Sequence, residues 1–157
     1  MGNSCASKPK LPALIDVVLQ DIFSFFPALK TSFVLRDDGS VVAAYSSLQL
    51  SSSNPKDKKL QPQLPPETTS AIEGLKKSAT SFGTSLFHGD SAVMHIRGKL
   101  QMFSYYLIEN THYYMVLYSE ISPNTVDVPD MDEIDSQMEV VCRRIADLIR
   151  ASESRKK

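Results

Sequence analysis

The sequence is poor in the residues that usually announce chemistry. It has no tryptophan, only two cysteines (Cys5 and Cys142) and only three histidines (His88, His95 and His112). Two cysteines at opposite ends make neither a disulfide framework nor a zinc site. The histidines never recur at i, i+4, and no Cys-x-x-Cys accompanies them, so no metal or cofactor is expected. There is no Gly-x-Gly-x-x-Gly, no P-loop and no Gly-x-Ser-x-Gly elbow. Charge of one sign is also missing. The net charge is −1, which supplies no field for collecting nucleic acid, and nucleic-acid binding is not expected. No stretch approaches the roughly 20 apolar residues that span a bilayer, and Asp16, Gln20 and Asp21 interrupt the apolar run after Leu11, so no secretory signal is visible. A reducing, cytosolic setting is the expectation.

Against that blank background, the first ten residues carry an address. Removal of Met1 leaves Gly2 as the amino-terminal residue, the substrate of N-myristoylation. Cys5 lies close enough to the same surface to take a palmitoyl chain, and Lys8 and Lys10 add positive charge. One acyl chain gives marginal, reversible binding, whereas two anchor persistently. The start resembles the dually acylated termini of plant calcium-dependent kinases (Gly-Asn-x-Cys), although Ala6 stands where Ser or Thr is usual. Residues 1–10 are therefore read as a flexible anchor to the cytosolic face of a membrane, with Gly2 and Cys5 as lipidation sites.

The remainder reads as one domain, residues 11–152, followed by a short basic tail at 153–157. Leu14, Val17, Val18, Ile22 and Phe25 recur at helical spacing between Pro12 and Pro27, and a second greasy stripe (Ile15, Leu19, Phe23, Phe26) hints at an interface. Two β-rich runs, Phe33–Arg36 and Val41–Ser46, flank Asp38-Gly39, a hairpin turn signal. Residues 50–66, with three serines, three lysines and several prolines, read as a mobile loop. A second helix carries Ala71, Ile72, Leu75, Ala79 and Phe82, with Glu73, Lys76 and Lys77 on its wet side and an end near Gly83. Three strands follow, at 91–97, 100–108 and 113–119, and a last helix over 130–152 carries a seam of Met131, Ile134, Met138, Val141, Ile145 and Leu148. The fold class is α+β: one five-stranded antiparallel sheet with flanking helices, ordered α-β-β-α-β-β-β-α.

Candidate chemistry is thin. Asp37-Asp38 reads as turn chemistry, the histidines as structural or solvated, and Cys142 as a buried thiol. The neighbouring tyrosines (Tyr105, Tyr106, Tyr113, Tyr114) put one ring on each face of the sheet and so read as packing. The sequence holds no catalytic constellation, and an adaptor rather than an enzyme is expected.

Phe33-Val-Leu-Arg-Asp-Asp-Gly-Ser-Val-Val-Ala-Ala-Tyr-Ser46, Gly98-Lys-Leu-Gln-Met-Phe-Ser104 and Tyr113–Tyr118 before a long amphipathic helix resemble the roadblock / dynein light chain superfamily, most of all its Ragulator-type adaptor subunits. The resemblance implies a non-enzymatic module that pairs, as a homo- or heterodimer with another roadblock-like subunit, through the second helix and the neighbouring strand. By position that surface is Ile72, Leu75, Ala79 and Phe82 with Val93 and His95. It further implies a small GTPase or a signalling or trafficking complex as partner, at an endosomal, lysosomal or plasma membrane. A longin-like, profilin-like or pleckstrin-homology-like module is the alternative. The leading helix argues against the longin form, and five strands argue against the pleckstrin-homology form, which needs seven.

Overall fold

The computed structural model describes residues 8–47, 66–82, 93–120 and 130–156, and within the second helix the side chains of 70–74, 76–78 and 81. The anchor residues Gly2 and Cys5, nearly all of the 50–66 segment and the expected helix end at Gly83 lie outside these residues.

The elements are α1 (Leu11–Phe25), β1 (Leu29–Arg36), β2 (Val41–Ser46), α2 (Pro66–Phe82), β3 (Val93–Arg97), β4 (Gln101–Leu107), β5 (Tyr113–Glu120) and α3 (Met131–Ser154). The expected order is the observed one. The strands form one sheet, ordered β2-β1-β5-β4-β3, and every neighbouring pair is antiparallel. β5 is therefore central, and β2 and β3 lie at the edges.

Alternation along the strands divides the core in two. Val34, Ala43, Met102, Tyr106, Met115 and Leu117 meet α1 and α3 on one face. Phe33, Leu35, Ala44, Tyr105, Tyr114 and Val116 meet Ile72 of α2 on the other. The tyrosine pairs split as expected: Tyr105 stacks on Tyr114 at 5.5 Å between ring centroids, while Tyr106 faces α3.

Three elements differ from the sequence reading. β1 begins at Leu29, four residues before its apolar run, because Thr31 and Ser32 pair on both sides, with Ser46 and Tyr45 of β2 and with Tyr118 and Leu117 of β5. Ladder hydrogen bonds, not apolarity, extend an inner strand. In α1 the buried face is Ile15, Val18, Leu19 and Ile22, continued by Phe26, and Val17 is 58% exposed. The buried face thus takes Val18 and Ile22 from one apolar stripe and Ile15, Leu19 and Phe26 from the other, and contact with α3 and the sheet covers it. In α3 the seam ends on Ile149 rather than Leu148. A straight helix turns every 3.6 residues, so a strict 3-4 alternation drifts off the buried line. α3 also runs to Ser154, which leaves Arg150 short of the last turn, where it pairs with Asp147 at 2.9 Å.

The element ends follow local rules. Asp130 caps α3, its Oδ1 accepting from the Asp132 and Glu133 amides at 3.1 and 3.4 Å, and the two acids sit at the positive end of the helix dipole. The β1–β2 turn places Gly39 at φ 85°, where a side chain would be strained. Asp38 Oδ1 closes that turn by accepting from the amide and hydroxyl of Ser40 at 2.9 and 2.6 Å.

One residue on α1 works against the fold. Asp16 Oδ1 is buried without a hydrogen-bond partner among the described residues, and burial raises its pKa above the ordinary 3.8. A carboxyl whose folded value is raised favours the native state while protonated, below 3.8, and that advantage is lost as the pH rises through the raised value. Asp16→Asn is therefore expected to raise Tm by ~1–2 °C at pH 7, a modest figure because Asp16 as a whole is only partly buried. Calorimetry at pH 7 and pH 3 checks this: the difference should vanish at the lower pH.

Candidate interaction surface

The edge strand β3 pairs with β4 alone among the described residues. An edge strand offers backbone donors and acceptors to another chain unless it is blocked. β3 carries no proline. Its side chains divide by register. His95 lies opposite Ser104 and Val93 opposite Tyr106, on the α3 face, whereas Ile96 lies opposite Phe103 on the α2 face. Ile96 is 45% exposed, and Leu100 in the following turn is 53% exposed.

Between β3, β4 and α2 lies a small apolar notch of about 130 Å³, lined by Ala71, Ile72, Ile96, Phe103, Tyr105 and Val116. The structure thus joins Ile72 to Ile96, which the sequence reading missed, and puts Val93 and His95 on the opposite face of the sheet. Strand period is the reason: neighbours i and i+1 cannot share a face. The signal for Ile96 was its alternation with His95. Ile72 itself is buried, so it holds α2 to the sheet and lines the floor of the notch. Leu75, Ala79 and Phe82 fall on α2, and their side chains lie outside the described set.

Polar tethers set the position of both edge elements. Asp135 of α3 reaches His95 Nε2 at 3.0 and 3.1 Å and accepts from the Tyr106 hydroxyl at 2.7 Å, while His95 Nδ1 meets Ser104 Oγ at 2.8 Å. A carboxylate only accepts, so Nε2 carries the proton, and in the neutral ring Nδ1 accepts from the Ser104 hydroxyl. Burial, and then the Asp135 hydrogen bond, push the Tyr106 phenol far above its ordinary value. The Ser-His-Asp composition invites comparison with hydrolase triads. Ser104 is 1% exposed, however, and its hydroxyl is closed off from any substrate carbonyl. The group fastens β3 and β4 to α3.

On the other face Lys76 of α2 donates to Asp37 Oδ1 at 2.8 Å and lies 5.1 Å from the Tyr114 ring centroid, and His112 Nδ1 meets Asp37 Oδ2 at 3.0 Å. The Lys76 hydrogen bond, with a smaller contribution from His112, holds the Asp37 carboxyl below its ordinary value. Asp37 thus anchors α2 over the sheet, a role beyond turn chemistry that sequence separations of 39 and 75 residues concealed. Cys142 is a free thiol flanking the core, and burial pushes it up to about 12, which makes it a poor nucleophile. Among the described residues no group of His, Cys, Asp and Glu is placed to hold a metal ion, and no helix is long and apolar enough to cross a membrane.

This architecture, a five-stranded antiparallel sheet with α2 on one face and α1 and α3 on the other, is the roadblock/LC7 fold. Solved structures that share it include MglB in a tetrameric arrangement (TM-score 0.68, 11% identity, 97% of this chain and 99% of that one). The gliding protein MglB of Thermus thermophilus (0.66, 12%, 94% and 97%) and a Roadblock/LC7 domain from Streptomyces avermitilis (0.61, 11%, 86% and 97%) share it as well. No protein-family model matches the sequence, and no curated protein matches it significantly.

Proposed function

We propose that this chain is a non-catalytic adaptor that pairs through α2 and the β3 edge with a second roadblock-like subunit, its own copy or another, and holds a small GTPase or a signalling or trafficking assembly on the paired surface. Acylation at Gly2 and Cys5 tethers it to the cytosolic face of an endosomal, lysosomal or plasma membrane. The observation that carries the pairing is the β3 edge itself: a strand without proline, flanked by an apolar notch and by exposed Ile96 and Leu100. The fold shared with an MglB that was solved as a tetrameric arrangement supports self-association. The tether rests on the sequence Met1-Gly-Asn-Ser-Cys5 and on acyl-chain energetics.

The two halves of the proposal separate in one experiment. Wild type and Gly2→Ala are expressed in acylation-competent cells fed a myristate analogue, fractionated, and affinity-purified with scoring for roadblock-like subunits and small GTPases. Wild type should carry the label and sediment with membranes. Gly2→Ala should be soluble, unlabelled and still paired. An unmodified wild-type amino end overturns the tether, and the absence of any roadblock-like subunit from both purifications, with each bait itself monomeric, overturns the pairing.

A further inference from the structure

A groove of about 620 Å³ runs along the outer flank of α3, on the sheet face opposite α2. One wall is a stripe of α3 from Asp135 to Arg150, ~22 Å long at 1.5 Å per residue. The other wall is Val93 and Tyr106, with Glu109 and Asn110 of the β4–β5 turn. Cys142 and Ala146 make the middle of the helical wall low, since both side chains are small, and they give the groove an apolar floor.

Its rim is unbalanced in charge. Glu109, Asp135, Glu139 and Asp147 face two arginines, Arg143 and Arg150. Arg143 is engaged with Glu139 at 3.0 Å and Arg150 with Asp147 at 2.9 Å, which leaves Glu109 and the His95-bound Asp135 as the rim's excess negative charge. An incoming chain meets a long, apolar-floored, net acidic trough.

We propose that this groove takes an amphipathic helix from a partner protein, apolar along one face and bearing lysine or arginine on its flanks. Length and spacing favour a helix. The α3 wall repeats at i, i+4, i+7 and i+11 (Asp135, Glu139, Cys142, Ala146), the ridge pattern into which another helix packs. The net negative rim selects a basic helix. A second copy of this chain fits poorly: α1 has no basic residue, and Ile72 of α2 is committed to the sheet. The site also lies on the opposite sheet face from the α2 notch, so its occupation is separable from pairing.

The test uses the full chain and two synthetic peptides of about eighteen residues, long enough to hold a helix. One is a Leu/Lys amphipathic helix and the other its Leu/Glu counterpart. Fluorescence anisotropy at physiological salt should show the Leu/Lys peptide binding at least about tenfold more tightly. Glu139→Lys combined with Asp147→Lys, both at exposed positions, should weaken it by a similar factor, and Ser136→Trp, which projects bulk into the groove, should do the same without lowering Tm. Equal binding of the two peptides overturns the proposal. So does unchanged affinity in either variant, since the peptide would then sit elsewhere.

Discussion

Leu19→Ala is expected to cost ~2–5 kcal/mol, the range for emptying a filled aliphatic site. Leu19 is fully buried, in a cluster with Ile15, Ile22, Phe26 and the α3 residues Met138 and Ile145. A domain of this size has only ~5–15 kcal/mol in total, so the substitution should move the urea midpoint far toward zero and leave a substantial unfolded fraction on warming. Val17→Ala, two residues away on the solvent side, should change stability by less than ~0.5 kcal/mol. The contrast matters for function. If α1 is part of the core, its apolar stripe is spent on the sheet and α3 and is not available to a partner. Similar, small effects at both positions would make α1 a loosely held arm.

The second large effect is expected at Ile96→Asp. The exposed Ile96 side chain shares the notch with Ile72 and Phe103. In the pairing proposed for α2 and β3 it would be covered, and a carboxylate buried there without a partner is costly. The dimer dissociation constant should rise at least about 30-fold, ~2 kcal/mol. Size-exclusion chromatography with light scattering reads this directly, and an unchanged circular dichroism spectrum and Tm show that the monomer is intact. Val93→Asp is the informative companion. Val93 lies on the α3 face, so equal sensitivity at both positions would mean that the edge pairs by backbone with side chains from both faces engaged.

Most of the fold was legible because it is written locally. Pro12 and Pro27 bracket α1, Asp38-Gly39 turns the first hairpin, and alternation sends Tyr105 and Tyr106 to opposite faces. What could not be read was which residues of the two apolar stripes on α1 face inward: the buried face takes Val18 and Ile22 from one and Ile15, Leu19 and Phe26 from the other. Leu14/Val17 and Ile15/Leu19 are equally greasy, and only the position of α3 decides between them. The same holds for the site. The resemblance pointed to α2 and the third strand, but the face of a β-strand depends on register, and register comes from pairing Ile96 with Phe103 across a turn. Asp37 and Asp135 were silent for a related reason: each is an ordinary acid in its own segment and becomes a tether when folding brings Lys76, His112 or His95 to it.

If the α2–β3 edge is a pairing surface, sedimentation equilibrium of the full chain over a wide concentration range, alone and with the roadblock-like subunit recovered from cells, will report it. The prediction is a concentration-dependent rise from the 17.4 kDa monomer to twice that mass or to the heterodimer, abolished by Ile96→Asp. A mass that stays monomeric throughout, or an assembly that Ile96→Asp leaves untouched, would contradict it.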